Sequence, residues 1–78
     1  MDTYRMTNEE VAIKFAETLK AWRVSPNGAA ITQADLAHKS GIGLTPLKRF
    51  EKTGAITLRN LIAILRSMDL LDGLLAVV

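Results

Sequence analysis

The sequence has no cysteine, no long apolar run and no leader-like N-terminus, and each absence excludes a class of protein. Without a thiol, the chain has neither a disulfide framework nor a thiolate metal site. No apolar run approaches the roughly 18 residues that a membrane-spanning helix needs. The N-terminal sequence lacks the charged-then-apolar pattern of a signal peptide. We therefore expect a soluble protein of the cytoplasm.

Groups that could catalyse a reaction or hold a metal are also scarce. The single histidine, His38, has no cysteine or second histidine to act with, and we expect it to face solvent or a phosphate. The Gly-Ile-Gly at 41–43 is too short for a phosphate-binding glycine loop, and no strand precedes it. Asp69 and Asp72 alone do not make a catalytic constellation. We expect no enzyme activity, no metal and no cofactor.

Apolar residues are plentiful and make up 49% of the 78 residues. This content is enough for one compact helical core, with some apolar side chains left over for a partner. We therefore expect a single domain over residues 1–78, in which residues 1–6 are frayed.

The net charge of +2 is unevenly distributed along the chain. Residues 39–59 contain five basic residues and one acid, a local charge of +4, so the remainder sums to −2. A basic cluster of this kind suits a surface that faces nucleic-acid phosphates. A solvated charged face is the alternative explanation. The cluster coincides with the motif described next, and this favours the DNA-binding explanation.

Residues 32–52 have the pattern of two short helices joined by a glycine turn. Thr32 is suited to cap the first helix, and Asp35 three residues later completes a variant of the capping box. Gly41 suits the left-handed conformation in which helices often end, so the first helix should run to Ser40. Helix, glycine turn and helix together are the signature of a helix-turn-helix.

The second helix of this motif should begin between Gly43 and Pro46. Proline is harmless in a first turn, but it disfavours helical geometry at the residue before it. Thr45 is therefore an alternative N-cap. Leu47 and Phe50 are one helical turn apart and should both face the core.

The flanking sequence predicts further helices and an all-α fold. A capping box at residues 7–10 should begin the first helix, and Thr57 should cap the fourth. The apolar tail over residues 69–78 should form a fifth helix or a short strand. We expect an orthogonal bundle of four or five helices. The side chains expected to face its core from the first and fourth helices are Val11, Phe15, Leu19 and Trp22, and Leu58, Leu61, Ile62, Leu65 and Met68.

Three stretches in the centre of the chain carry a family resemblance. They are Ile-Thr-Gln-Ala-Asp-Leu-Ala at 31–37, Gly41, and Leu-Lys-Arg-Phe-Glu at 47–51. Together they resemble the Cro and phage-repressor type of DNA-binding domain, the Xre family, and the likeness continues through residues 54–58 to Leu65. Residues 50–54 and the apolar ending are most similar to HipB-type antitoxin regulators. The resemblance implies a lambda-repressor-like fold.

The same resemblance implies a function. A member of this family would be a sequence-specific transcriptional regulator, most simply a repressor that binds a pseudo-palindromic operator on double-stranded DNA as a homodimer. The HipB likeness implies an alternative, an antitoxin that binds a HipA-like kinase toxin and regulates its own operon. A helical bundle that has lost DNA binding is a third explanation, and the intact basic cluster argues against it.

The candidate base readers follow from their position on the second helix of the motif, and the candidate phosphate ligands are largely what the family resemblance implies. A helix in the major groove reads bases with its N-terminal residues and holds phosphates with its flanks. We assign base readout to the residues opposite Leu47 and Phe50, and the phosphate contacts largely by the family resemblance. The base readers are Leu44, Thr45, Lys48 and Arg49, and the phosphate ligands are Gln33, His38, Lys39, Gly43, Lys52, Thr53 and Thr57.

Two further sets are structural. Glu51 matches a family acid that pairs with a basic residue of the first helix, with Arg23 the first choice of partner and Lys20 the second. The dimer interface should use apolar side chains that a small core does not cover, as paired fifth helices or an exchanged strand. They are Ile64, Met68, Leu71, Leu74 and Val77.

Overall fold

The computed structural model describes residues 3–76, and this part of the chain is all-α, as predicted. A short 3-10 turn precedes five α-helices, and no strand occurs between residues 3 and 76. None of these helices combines the length and apolarity needed to cross a membrane. The elements are the 3-10 turn Thr3–Arg5 and the helices α1 Asn8–Val24, α2 Gln33–Ser40, α3 Leu44–Thr53, α4 Leu58–Ser67 and α5 Leu71–Leu75.

The start of α1 confirms the predicted capping box. The Thr7 hydroxyl accepts the Glu10 backbone N–H at 3.1 Å, and the Glu10 carboxylate accepts the Thr7 N–H at 2.9 Å. That bond from the Thr7 backbone holds the pKa of the Glu10 side chain below its ordinary value. The 3-10 turn Thr3–Arg5 precedes this cap.

The core-facing side of α1 differs from the predicted stripe. Leu19 is buried, but Val11, Phe15 and Trp22 are 40%, 42% and 38% exposed. The buried side chains of α1 are instead Ala16, Leu19 and Arg23. The true core face is therefore rotated by about a quarter of a turn from the predicted one.

The reason for this rotation is the close approach of α3 to α1. Gly54, at the end of α3, lies so close to α1 that an added Cβ would be 2.6 Å from the carbonyl carbon of Ala12. Only small residues allow two backbones to come so near. The small Ala12 and Ala16 therefore face α3, and the large apolar side chains are displaced to the flank.

Helix α4 lies deeper in the core than the sequence predicted. Ile64 and Met68 are only 1% and 4% exposed, so they belong to the core of one chain and the prediction that they form a dimer interface was wrong. Leu58, predicted to face inward, is 65% exposed. The buried apolar side chains are Ala16, Leu19, Leu36, Ala37, Leu47, Phe50, Ile64, Leu65 and Met68.

Over residues 69–76 the tail contains the helix α5 Leu71–Leu75 and no strand. Leu74 of α5 packs against the core, together with Leu70 just before the helix. Leu71 is half-buried, and Leu75 is 61% exposed. The fifth helix therefore has one face on the core and one face open, and Val77 lies outside the described residues.

Candidate nucleic-acid interface

The turn between α2 and α3 is built by caps and glycines. Thr32 caps α2, because its hydroxyl accepts the Asp35 backbone N–H at 3.0 Å. Gly41 ends the helix at φ 77°, in the left-handed region, and its N–H donates to the carbonyl of Ala37 at 3.0 Å. Ala37 is 5% exposed and lies in the core. The Thr32 cap and Gly41 fix the two ends of α2, and the small buried side chain of Ala37 sets how far α2 lies from α3.

Gly43 is the N-cap of α3, and the alternative in which Thr45 caps the helix was wrong. The backbone of Gly43 has φ 88° and ψ 163°, a conformation that essentially only glycine adopts. The helix therefore begins at Leu44, and Pro46 is its third residue. The N–H that proline lacks would have had no partner in the first turn of a helix. The tip of α3 consequently carries no capping side chain.

The exposed side of α3 carries the predicted base readers. Leu47 and Phe50 are 1% and 2% exposed and hold the opposite side in the core. Within residues 3–76, no carboxylate forms an ion pair with any cation of the exposed side. We call this side the basic face of α3; its residues are Leu44, Thr45, Lys48, Arg49 and Lys52.

The predicted ion pair between Glu51 and Arg23 is confirmed. Arg23 Nε donates to Glu51 Oε2 at 2.6 Å and Arg23 Nη2 to Oε1 at 3.0 Å, with both side chains less than a tenth exposed. The remaining Arg23 nitrogen, Nη1, donates to the Ile31 carbonyl at 3.0 Å. The pair therefore fixes α3 to α1 and to the loop before α2.

Gln33 joins this network, which the sequence did not predict. Its Nε2 donates to Glu51 Oε1 at 2.8 Å, and the side chain is half-buried. Nε2 has a second hydrogen, so one N–H is left to bind another acceptor. The start of α2 is thereby held against α3 through Glu51.

A groove of about 300 Å³ lies between α3 and the start of α4. Thr57 lines it and caps α4 by accepting the Asn60 N–H at 3.2 Å, while the Thr53 hydroxyl donates to the Arg49 carbonyl at 2.8 Å. Both hydroxyls thus serve helix ends. The N–H groups of the first turn of α4 are the donors left without a helical partner. Two of the groove's lining residues, Arg49 and Thr57, are among the predicted site residues, and the other four are not. The lining residues are Pro46, Arg49, Ala55, Ile56, Thr57 and Asn60.

His38 and Lys39 lie on different flanks of α2, because consecutive helical residues point about 100° apart. Lys39 Nζ donates to the Ser67 carbonyl at the end of α4, at 2.8 Å. The structure therefore does not bring Lys39 together with the other predicted phosphate ligands. His38 is exposed and lines a shallow hollow of about 390 Å³ at the junction of α2 and α3. The other lining residues are Ala34, Ala37, Gly41, Gly43 and Leu44.

Comparison of the chain with protein-family models, with curated proteins and with solved structures found no match. The likeness to the Xre family therefore rests on the residues between Ile31 and Leu65.

Proposed function

We propose that this protein is a sequence-specific double-stranded DNA-binding regulator of the Xre type, most simply a repressor, in which α3 enters the major groove. The basic face of α3 carries the proposal. Its cations have no carboxylate partner within residues 3–76, while the reverse side of the helix is anchored in the core. A protein surface of this kind is suited to a polyanion with a groove wide enough for a helix.

The residues of this face have different chemical capacities. Arg49 presents a planar fork that fits the O6 and N7 of guanine, and Thr45 can donate, accept or touch a methyl group. Lys48 reaches either a base or a phosphate. Lys52, one turn further from the tip, suits a phosphate contact that is indifferent to sequence.

Contacts to phosphates are proposed on both sides of α3. At the start of α2, the free N–H of Gln33 and the backbone donors of the first turn are available to one strand. On the other side of α3, Arg49 lines the groove whose far wall is the start of α4. The free backbone donors of α4 stand at that wall and suit the opposite strand.

The Arg23–Glu51 pair contributes rigidity to this arrangement. A bidentate pair with two further hydrogen bonds, one to the Ile31 carbonyl and one from Gln33, leaves α3 little freedom to rotate against α1 and α2. A helix held in one orientation loses less entropy when it docks in the groove. We regard the pair as a positioning device and not as a DNA contact.

The regulator is proposed to act as a homodimer in the cytoplasm. One helix covers one half-site, and a two-fold protein places two such helices about one turn of DNA apart. With Ile64 and Met68 in the core, the open face of α5 is the surface that remains from the predicted interface. Its described members are Leu71 and Leu75.

Selection of binding sites from random duplexes tests this function. We expect enrichment of one sequence with two inverted half-sites about one helical turn apart. The matched control is the same selection with a chain in which Lys48, Arg49 and Lys52 are all alanine, which should enrich nothing. A wild-type selection that also enriches nothing at low salt would reject the proposal.

The antitoxin function is a second candidate, favoured by one observation. Val11, Phe15 and Trp22 share a flank of α1, and each is about 40% exposed. A flank of this kind suits a partner protein such as a HipA-like kinase. Phe15→Lys separates the two functions: an antitoxin would keep its DNA affinity but lose its protein partner. If Phe15→Lys abolishes both dimerisation and DNA affinity, the flank belongs to the homodimer interface instead.

A further inference from the structure

We infer that Leu44 makes this protein a reader of 5-methylpyrimidines, preferring thymine or 5-methylcytosine to bases that lack the methyl group at one position of each half-site. The inference rests on the proposed DNA binding and names what one residue of the basic face recognises. Leu44 is the first residue of α3 and is 38% exposed.

The backbone places the Leu44 side chain at the leading tip of the helix. Gly43 precedes it with no side chain, in a conformation that other residues do not adopt. No capping side chain therefore stands between Leu44 and a surface that the tip approaches. A serine or threonine cap, which would hold a hydroxyl beside Leu44, is excluded by the φ of 88°.

The surroundings of Leu44 are small and uncharged on one side. The hollow of about 390 Å³ beside it is lined by alanine and glycine residues, with His38 at the edge. The cations lie further along the helix, beginning at Lys48. The tip is therefore an apolar point on a basic face, with room beside it for a group the size of a methyl.

The major groove contains one apolar feature, the methyl group at C5 of thymine, and 5-methylcytosine carries the same group. A leucine offers this methyl a contact and offers the polar base edges nothing. Polar edges pressed against Leu44 would lose their water without gaining a hydrogen bond, which disfavours guanine and adenine. The contact with the methyl group and the cost of burying polar base edges thus both favour 5-methylpyrimidines.

The test is a scan of the selected duplex, in which each thymine is replaced in turn by deoxyuridine. One position per half-site should lose about fourfold in affinity, which corresponds to the burial of one methyl group. Cytosine at that position should bind weakly, and 5-methylcytosine should recover most of the loss. In Leu44→Ala, thymine and uracil should bind alike at that position.

Two variants keep the result decisive. Val24→Ala removes another exposed apolar side chain, at the far end of α1, and should keep the discrimination between thymine and uracil. Thr45→Ser removes the neighbouring methyl group. If Thr45→Ser abolishes the discrimination and Leu44→Ala keeps it, or if no thymine responds to uracil, the inference is overturned. Absence of binding to any duplex would reject the proposed function itself, which is a different outcome.

Discussion

Arg23 and Glu51 are 28 positions apart in sequence and form a bidentate ion pair, with nitrogen–oxygen distances of 2.6 and 3.0 Å, in a part of the molecule that excludes most water. The pair joins the C-terminal end of α1 to the C-terminal half of α3. Arg23 Nη1 also donates to the Ile31 carbonyl, and Glu51 Oε1 also accepts from Gln33 Nε2. The orientation of the basic face thus depends on a polar network as well as on the apolar core.

Glu51→Ala should destabilise the fold by about 3–5 kcal/mol, because it leaves the Arg23 guanidinium buried without its partner. Urea denaturation followed by circular dichroism measures the loss. Glu17→Ala, which removes an exposed carboxylate from α1, is the control and should change the free energy of unfolding by less than about 0.5 kcal/mol. Equal effects of the two substitutions would mean that the pair does not hold the helices together.

Gly54→Ala should lower the free energy of unfolding more than Gly41→Ala does. Both glycines have a left-handed backbone, with φ of 79° and 77°. At Gly41 an added Cβ meets nothing within 4 Å, so only backbone strain of about 1 kcal/mol is expected. At Gly54 the Cβ would be 2.6–2.8 Å from Ala12, which adds about 1–3 kcal/mol for overpacking. Thermal denaturation of the two variants should separate them, and equal melting temperatures would show that α1 and α3 are not in such close contact.

Arg49→Ala and Lys52→Ala should weaken DNA binding in different ways. Loss of a bidentate contact at Arg49 should cost about 1–3 kcal/mol on the selected duplex and relax its base preference. Loss of Lys52 should weaken selected and scrambled duplexes alike. Fluorescence anisotropy on the two duplexes side by side gives both numbers. An equal loss on both duplexes for Arg49→Ala would reassign Arg49 to the DNA backbone.

Leu75→Lys should convert the proposed dimer into a monomer, because it places a charge on the open face of α5. The side chain is 61% exposed, so the core should tolerate the change. Val24→Lys is a matched control, since Val24 is 56% exposed, also at the end of a helix, and receives the same charge. Sedimentation equilibrium at micromolar concentration should find a monomer for Leu75→Lys and a dimer for Val24→Lys. A Leu75→Lys dimer would exclude this face as the interface.

The features that the sequence predicted well depend on a few neighbouring residues. Thr7, Thr32 and Thr57 cap helices where expected, because a cap needs only the three residues that follow it. Gly41 ends α2 for a reason equally local. The Arg23–Glu51 pair is a contact between distant residues, and the family resemblance supplied it.

The features that the sequence predicted poorly depend on which neighbour a helix acquires. Phe15 and Trp22 repeat at helical spacing with Leu19, but the approach of Gly54 to Ala12 decided which side of α1 is buried. The burial of Ile64 could not be predicted from its own helix, because the depth of α4 in the core is set by the whole bundle. The bond from Gln33 to Glu51 joins two helices and could not be read from either residue alone.

The dependence of DNA affinity on salt tests the central claim, that the basic face of α3 binds duplex DNA, most directly. Each phosphate contact releases counterion and contributes about −0.9 to the slope of log affinity against log salt concentration. Two chains that each place Lys52 on a phosphate, and Lys48 where it reaches one, should give a slope of roughly −2 to −4 on the selected duplex. An affinity that does not change between about 50 and 200 mM salt, or no binding at the lower concentration, would contradict the claim.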